Sequence, residues 1–217
     1  MHILFISLAL ILSLLVSPSV TLAASQVGVG ATFGEEGLQT FYFSIGEYFG
    51  VPEKEVIVVK ERHIPEEEIP VVFFIARRAR VAPAAIIDLR LRKRSWMDIV
   101  VHYGLSPEIF YVPVRMEVKG PPYGRAYGYY KKPKHEWKKI VFKDDDVVNL
   151  VNLKFMSEHY KYSPDEVIKI RSKGKNFVMV HDEIKRGKKE KEDKGARGEK
   201  EGKHDGRGKG KGKGRGK

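Results

Sequence analysis

The apolar positions of this chain fall into two kinds of run. The first is continuous. Residues 3–16 read ILFISLALILSLLV, without a charge, and Pro18 would end any helix begun there. A helix needs about 20 apolar residues to cross a bilayer, so this run is short for a span and suits the hydrophobic region of a secretory signal. The small residues Ala23 and Ala24 that follow suit a signal-peptidase pocket. A signal peptide over residues 1–23 is therefore expected, although its first residues carry no Lys or Arg. A Gly-rich, flexible lead-in is expected over 24–37.

The second kind of run is periodic. After Pro83 come Ile86, Ile87 and Leu89, and after Pro164 come Val167, Ile168 and Ile170, in each case three, four and six places on. That spacing puts the apolar side chains on one face of a helix. The turn His102-Tyr103-Gly104-Leu105-Ser106-Pro107-Glu108 closely matches His159-Tyr160-Lys161-Tyr162-Ser163-Pro164-Asp165. Its chemistry is that of a helix start: a small polar residue caps, proline is tolerated in the first turn, and an acid suits the positive pole. Arg90 to Ile99 likewise lines up with Arg171 to Val180, with Ser95 or Asn176 as the next cap and Trp96 or Phe177 entering the core behind it.

These matches predict a mainly α fold built from repeated small three-helix units. They occur at about 69–105 and 145–184, with a more divergent copy before them around Pro52. The expected division is a helical repeat domain over 38–112, a Pro/Gly/Tyr/Lys-rich linker loop over 113–142, a second helical unit over 143–184, and a disordered tail over 185–217. The β-branched run Val56-Ile57-Val58-Val59 and the alternating Val112, Val114, Met116, Val118 leave room for a short edge strand.

Charge changes the picture at the C-terminus. The chain has 217 residues and a formal net charge of +12, of which residues 185–217 supply +9 through 15 Lys/Arg against 6 Asp/Glu. With one Ala as its only apolar residue, that segment cannot bury enough surface to order itself. No Cys is present, which excludes disulfides, thiol catalysis and thiolate metal sites.

Candidate chemistry is therefore anion binding. Three groups qualify: Arg90, Arg92, Lys93 and Arg94 beside Trp96; Arg125, Lys131 and Lys132 interleaved with Tyr123, Tyr127, Tyr129 and Tyr130; and the tail cations Arg207, Lys209, Lys211, Lys213, Arg215 and Lys217. Tyrosines among cations can stack on bases or sugars while the cations neutralise phosphate; equally, those tyrosines could lie back on the helices. The expected partner is an anionic polymer or membrane surface: lipopolysaccharide, phospholipid, acidic polysaccharide or extracellular nucleic acid, bound by salt-sensitive attraction.

No catalytic site, cofactor or metal site is expected. The seven His residues form no His-x-x-x-His pair, and no phosphate loop or Gly-x-Ser-x-Gly element occurs. The acidic triplets Glu66–Glu68 and Asp144–Asp146 sit where helices begin, so the helix dipole accounts for them.

Residues 75–90, with Ala76, Val81, Pro83, Ala84, Ala85 and Ile86, resemble the helix-turn-helix of LacI-type repressors. The resemblance departs at Arg80, where that family usually has a turn glycine. It implies a recognition helix opening at Pro83 and phosphate contacts from Arg90, Arg92, Lys93 and Arg94. The whole arrangement also resembles exported bacterial proteins, which implies a periplasmic or extracellular location and no particular activity.

Overall fold

A computed structural model describes the backbone of residues 35–201 and the side chains of residues 36–190. Residues 1–34 and 202–217, including the expected signal and most of the lead-in, lie outside the described residues. So do Arg207, Lys209, Lys211, Lys213, Arg215 and Lys217. Helices follow one another as α1 (Glu35–Phe49), α2 (Glu53–Glu61), α3 (Ile69–Ala79), α4 (Pro83–Leu91), α5 (Trp96–His102), α6 (Gly124–Tyr130), α7 (Asp144–Tyr160), α8 (Pro164–Arg171) and α9 (Phe177–Glu201). Short 3₁₀ turns lie at Glu66–Glu68, Pro107–Phe110 and Lys134–Lys139. The fold is mainly helical, and no strand forms among the described residues. Val56–Val59 lie within α2, and Val112–Val118 form an irregular connection.

One connection recurs. A residue with positive φ ends a helix, one residue follows, then a cap opens the next helix. In these connections the positive-φ residue is Gly50, His63, Arg80, Lys93, Gly104, Lys161 or Gly174. The residue after the left-handed one donates its N–H back across the last turn: Val51 to Gly46 O, Val81 to Ala76 O, and Leu105 to Val100 O. This satisfies carbonyls that the helix end leaves open. Caps then open the following helices. Ser95 Oγ accepts from Asp98 N at 3.1 Å while Asp98 accepts from Ser95 N, and Ser163 and Glu166 repeat the arrangement. Asn176 Oδ1 accepts from Met179 N at 2.9 Å at the start of α9.

Arg80 sits at φ 57°, where glycine is the least strained residue. Arg80→Gly is expected to raise the unfolding free energy by about 0.5 kcal/mol, the relief of strain exceeding the entropy added to the unfolded chain. A small upward shift in the midpoint of urea unfolding would record it; a downward shift would mean that the Arg80 side chain holds the turn.

The two predicted units pack on each other through α3 and α7, and their local geometry is duplicated. The Arg90 guanidinium lies 4.6 Å from the Trp96 ring centroid and donates to Arg94 O at 3.0 Å. The Arg171 guanidinium lies 4.8 Å from the Phe177 ring and donates to Lys175 O. Each unit also caps the other. Trp96 N, opening α5, donates to Asp144 at the start of α7, and Phe177 N, opening α9, donates to Glu67 just before α3. The acidic triplets thus do more than complement their own helix dipoles: they tie the units together.

One expected boundary changes. Residues 113–142 are not an exposed linker. They contain α6 and a 3₁₀ turn, and they bury Tyr123, Ala126, Tyr127, Tyr130, Trp137, Ile140 and Phe142 in the common core. Packing explains this, because α6 (GRAYGYY) has weak intrinsic helix preference and gains its stability from the aromatic face it buries. Past Ile184 the backbone of α9 continues to Glu201, and residues 202–217 of the expected tail lie outside the described residues. Lys and Glu are good helix formers.

Candidate polyanion-binding face

The structure separates the candidate cations sharply. Arg90 is taken out of contention by its partners. Its Nε and Nη2 donate to the Glu68 carboxylate at 2.8 Å each, and its Nη1 donates to Asp144 at 2.5 Å. The side chain is 18% exposed. Desolvation opposes its charge, yet the two carboxylates more than offset that and raise its pKa. Arg90 is therefore a strut of the fold and not a free anion ligand.

Arg125 is engaged as well, donating to the buried Asp146 at 2.8 Å. Lys131 pairs with Glu117 at 3.2 Å on the surface. Of the two courses open to the tyrosines, stacking on a ligand or lying back on the helices, they take the second. Tyr127 donates to Val112 O at 2.7 Å, Tyr130 lies among Tyr111, Trp137 and Phe142, Tyr123 is fully buried, and half-buried Tyr129 packs on Phe142. Burial raises the pKa of Tyr123, Tyr127 and Tyr130 well above the usual phenol range. Tyr127 and Tyr130 pack on each other with ring centroids 6.0 Å apart and Tyr123 is buried, so these rings form no exposed stacking platform.

Arg92, Lys93 and Arg94 remain exposed at the turn between α4 and α5, and Lys132 is exposed beyond α6. The Arg92 and Lys93 side chains make no ion pair among the described residues. The fold adds cations that the sequence did not single out. A cleft of about 510 Å³ is lined by Arg94, Lys138 and Lys139, with Met97, Leu105, Pro107 and Ile140 as apolar lining and Val101, Val141, Asp98 and His102 on its exposed parts. Asp98, Val101 and His102 share the outer face of α5 by their spacing. Val141 lies in the extended connection into α7, where it alternates outward between buried Ile140 and Phe142. Asp98 is already committed to the Ser95 cap, whose hydrogen bonds lower its pKa.

A second cavity, of about 620 Å³, opens between α6, α7 and α8. Glu67, Asp145, Arg125 and Arg171 line it with Asn149 and the Gly120–Pro122 segment. Its charges are mixed in sign, so it offers no net field to a polyanion. On α4, exposed Asp88 pairs with Arg62 at 3.0 Å.

One pair has the look of a nucleophile and its base. Ser44 Oγ lies 3.3 Å from His181 Nε2, and Tyr160 OH donates to Ser44 Oγ at 2.8 Å. Ser44 gives its own proton to Thr40 O at 2.9 Å, one turn back in α1. The hydroxyl proton is therefore not aimed at the imidazole, and both side chains are buried in the core. The trio works as a core hydrogen-bond network. Among the described residues no three metal-ligating side chains come together, and no helix is long and apolar enough to cross a membrane.

No protein-family model matches the chain, and neither a curated protein nor a solved structure is significantly similar to it.

Proposed function

We propose that this is an exported, non-enzymatic binding protein that attaches to anionic polymers or surfaces outside the cytoplasm. It does so through the α4–α5 basic face together with the Lys/Gly-rich C-terminal segment. The observation that carries the reading is the convergence of Arg94, Lys138 and Lys139 on one cleft, with Arg92 and Lys93 exposed nearby and the only acid in the cleft, Asp98, held by a helix cap. Exposed cations with no carboxylate within ion-pair distance among the described residues concentrate positive potential, and net +9 over residues 185–217 extends it.

The test is binding of the full chain to polyphosphate and to an acidic polysaccharide across a salt series. Affinity is expected to fall linearly on a log–log plot, the slope reporting the number of charges neutralised. Replacing Arg92, Arg94, Lys138 and Lys139 together by Gln is expected to weaken binding about tenfold or more and to flatten that slope. Arg125→Gln, by contrast, is expected to leave it unchanged. Binding that ignores the face variant but vanishes on deleting residues 202–217 would assign the activity to the tail alone.

A further inference from the structure

The cleft also carries an apolar signal that attraction to a soluble polyanion does not use. Five large hydrophobic side chains are exposed in the described fold, and the two most exposed are Val141 at 72% and Val101 at 66%. Both line the cleft that Arg94, Lys138 and Lys139 line. They are far apart in sequence and come from different elements, α5 and the segment leading into α7. Behind them the lining is apolar too, with Met97, Leu105, Pro107 and Ile140. Exposed apolar groups ringed by cations mark a contact surface.

We propose that this face docks on an anionic lipid bilayer, with Val101 and Val141 entering the headgroup–acyl boundary while Arg94, Lys138 and Lys139 meet lipid phosphates. The inference rests on the polyanion reading and narrows its partner class. The choice among anionic partners follows from chemistry. A polysaccharide, polyphosphate or nucleic-acid backbone offers phosphate or carboxylate but no apolar layer to receive the valines. An anionic leaflet offers both, in the order in which the side chains present them. Attachment through side chains of this surface face is peripheral. Each cation near an anionic leaflet strengthens attachment about fivefold, and a partly inserted valine contributes a similar factor.

The experiment is co-sedimentation of the full chain with phosphatidylcholine vesicles and with phosphatidylcholine–phosphatidylglycerol vesicles, run beside polyphosphate binding at the same ionic strength. The Val101→Ser/Val141→Ser double variant is expected to lose about 25-fold on anionic vesicles and nothing on polyphosphate. The Arg94→Gln/Lys138→Gln/Lys139→Gln variant is expected to lose on both. Because the substituted side chains are exposed, all forms should unfold at the same urea concentration as the parent. Anionic vesicles bound equally well by the double-valine variant would overturn the bilayer inference while leaving polyanion binding intact. Failure of the parent chain to bind either polyphosphate or anionic vesicles would sink both readings.

Discussion

Arg90→Ala is expected to lower the unfolding free energy by about 3 kcal/mol, among the largest effects of any charge removal in the fold. The reason is what remains behind. Glu68 is only 16% exposed, and its two oxygens each accept from Arg90 at 2.8 Å. Asp144 accepts from Arg90 Nη1 at 2.5 Å and from Trp96 N at 2.8 Å. Removing the guanidinium leaves two half-buried carboxylates close together without their common cation, and strips the Trp96 ring of its cation. Lys should not substitute well, because a single ammonium cannot donate in parallel to one carboxylate while reaching the other. The pseudo-equivalent Arg171 stacks on Phe177 and donates to Lys175 O but has no carboxylate within ion-pair distance among the described residues. Arg171→Ala is accordingly expected to cost about 1 kcal/mol. Urea denaturation of both variants checks the contrast. Adding Glu68→Gln and Asp144→Asn to Arg90→Met should recover much of the loss, because an apolar stem beside neutral amides strands no charge. Stability unaltered by Arg90→Ala, with anion binding reduced, would instead return Arg90 to the binding face.

The contrast shows what the chain reveals locally and what it withholds. The caps at Ser95 and Ser163 and the prolines at Pro83, Pro107 and Pro164 were legible because a helix start needs only its neighbours. So was the repetition of Arg90-to-Trp96 spacing at Arg171 and Phe177. The partners of Arg90 were not, since Glu68 and Asp144 come from distant elements and their triplets already had a sufficient local explanation in the helix dipole. The tyrosine segment misled for a related reason. Gly, Pro and Lys supply 13 of the 30 residues at 113–142, and only the packing of Tyr127 and Tyr130 against Tyr111 and Trp137 converts that composition into core. Of the candidate face, Arg92, Lys93 and Arg94 could be named in advance. Lys138, Lys139, Val101 and Val141 could not, because nothing in an isolated valine says whether its side chain is covered.

Stability is expected to fall by roughly 3 kcal/mol as pH drops from above 6.5 to about 4, and His181 is the group responsible. Its environment admits only the neutral ring. Ser44 Oγ spends its proton on Thr40 O and receives one from Tyr160, so toward His181 it can only accept. The imidazole proton therefore sits on Nε2, and Nδ1 is buried with no partner. Protonation would place a donor on Nδ1 with nothing to receive it, between the edges of Phe41 and Tyr160. Burial is the main cause of the lowered pKa, pushed down from 6.5 to about 4, with Lys185 and His159 acting in the same direction and Asp182 opposing. The sign follows from proton counting. Between those two values the unfolded chain holds the proton and the folded chain does not, so acid favours unfolding. The contribution is intact above pH 6.5, declines through the window, and levels off below about 4. His181→Leu removes the titrating group at some cost in absolute stability. The measurement is the difference in unfolding free energy between pH 7 and pH 5 for parent and variant. Half-buried His159, also held below its ordinary value by burial, is present in both, so the difference between parent and variant reports His181 together with its coupling to His159. A steep acid dependence in the parent that flattens in His181→Leu is the expected result. Equal slopes would place the titration elsewhere and mean that the buried imidazole finds an acceptor for its second proton.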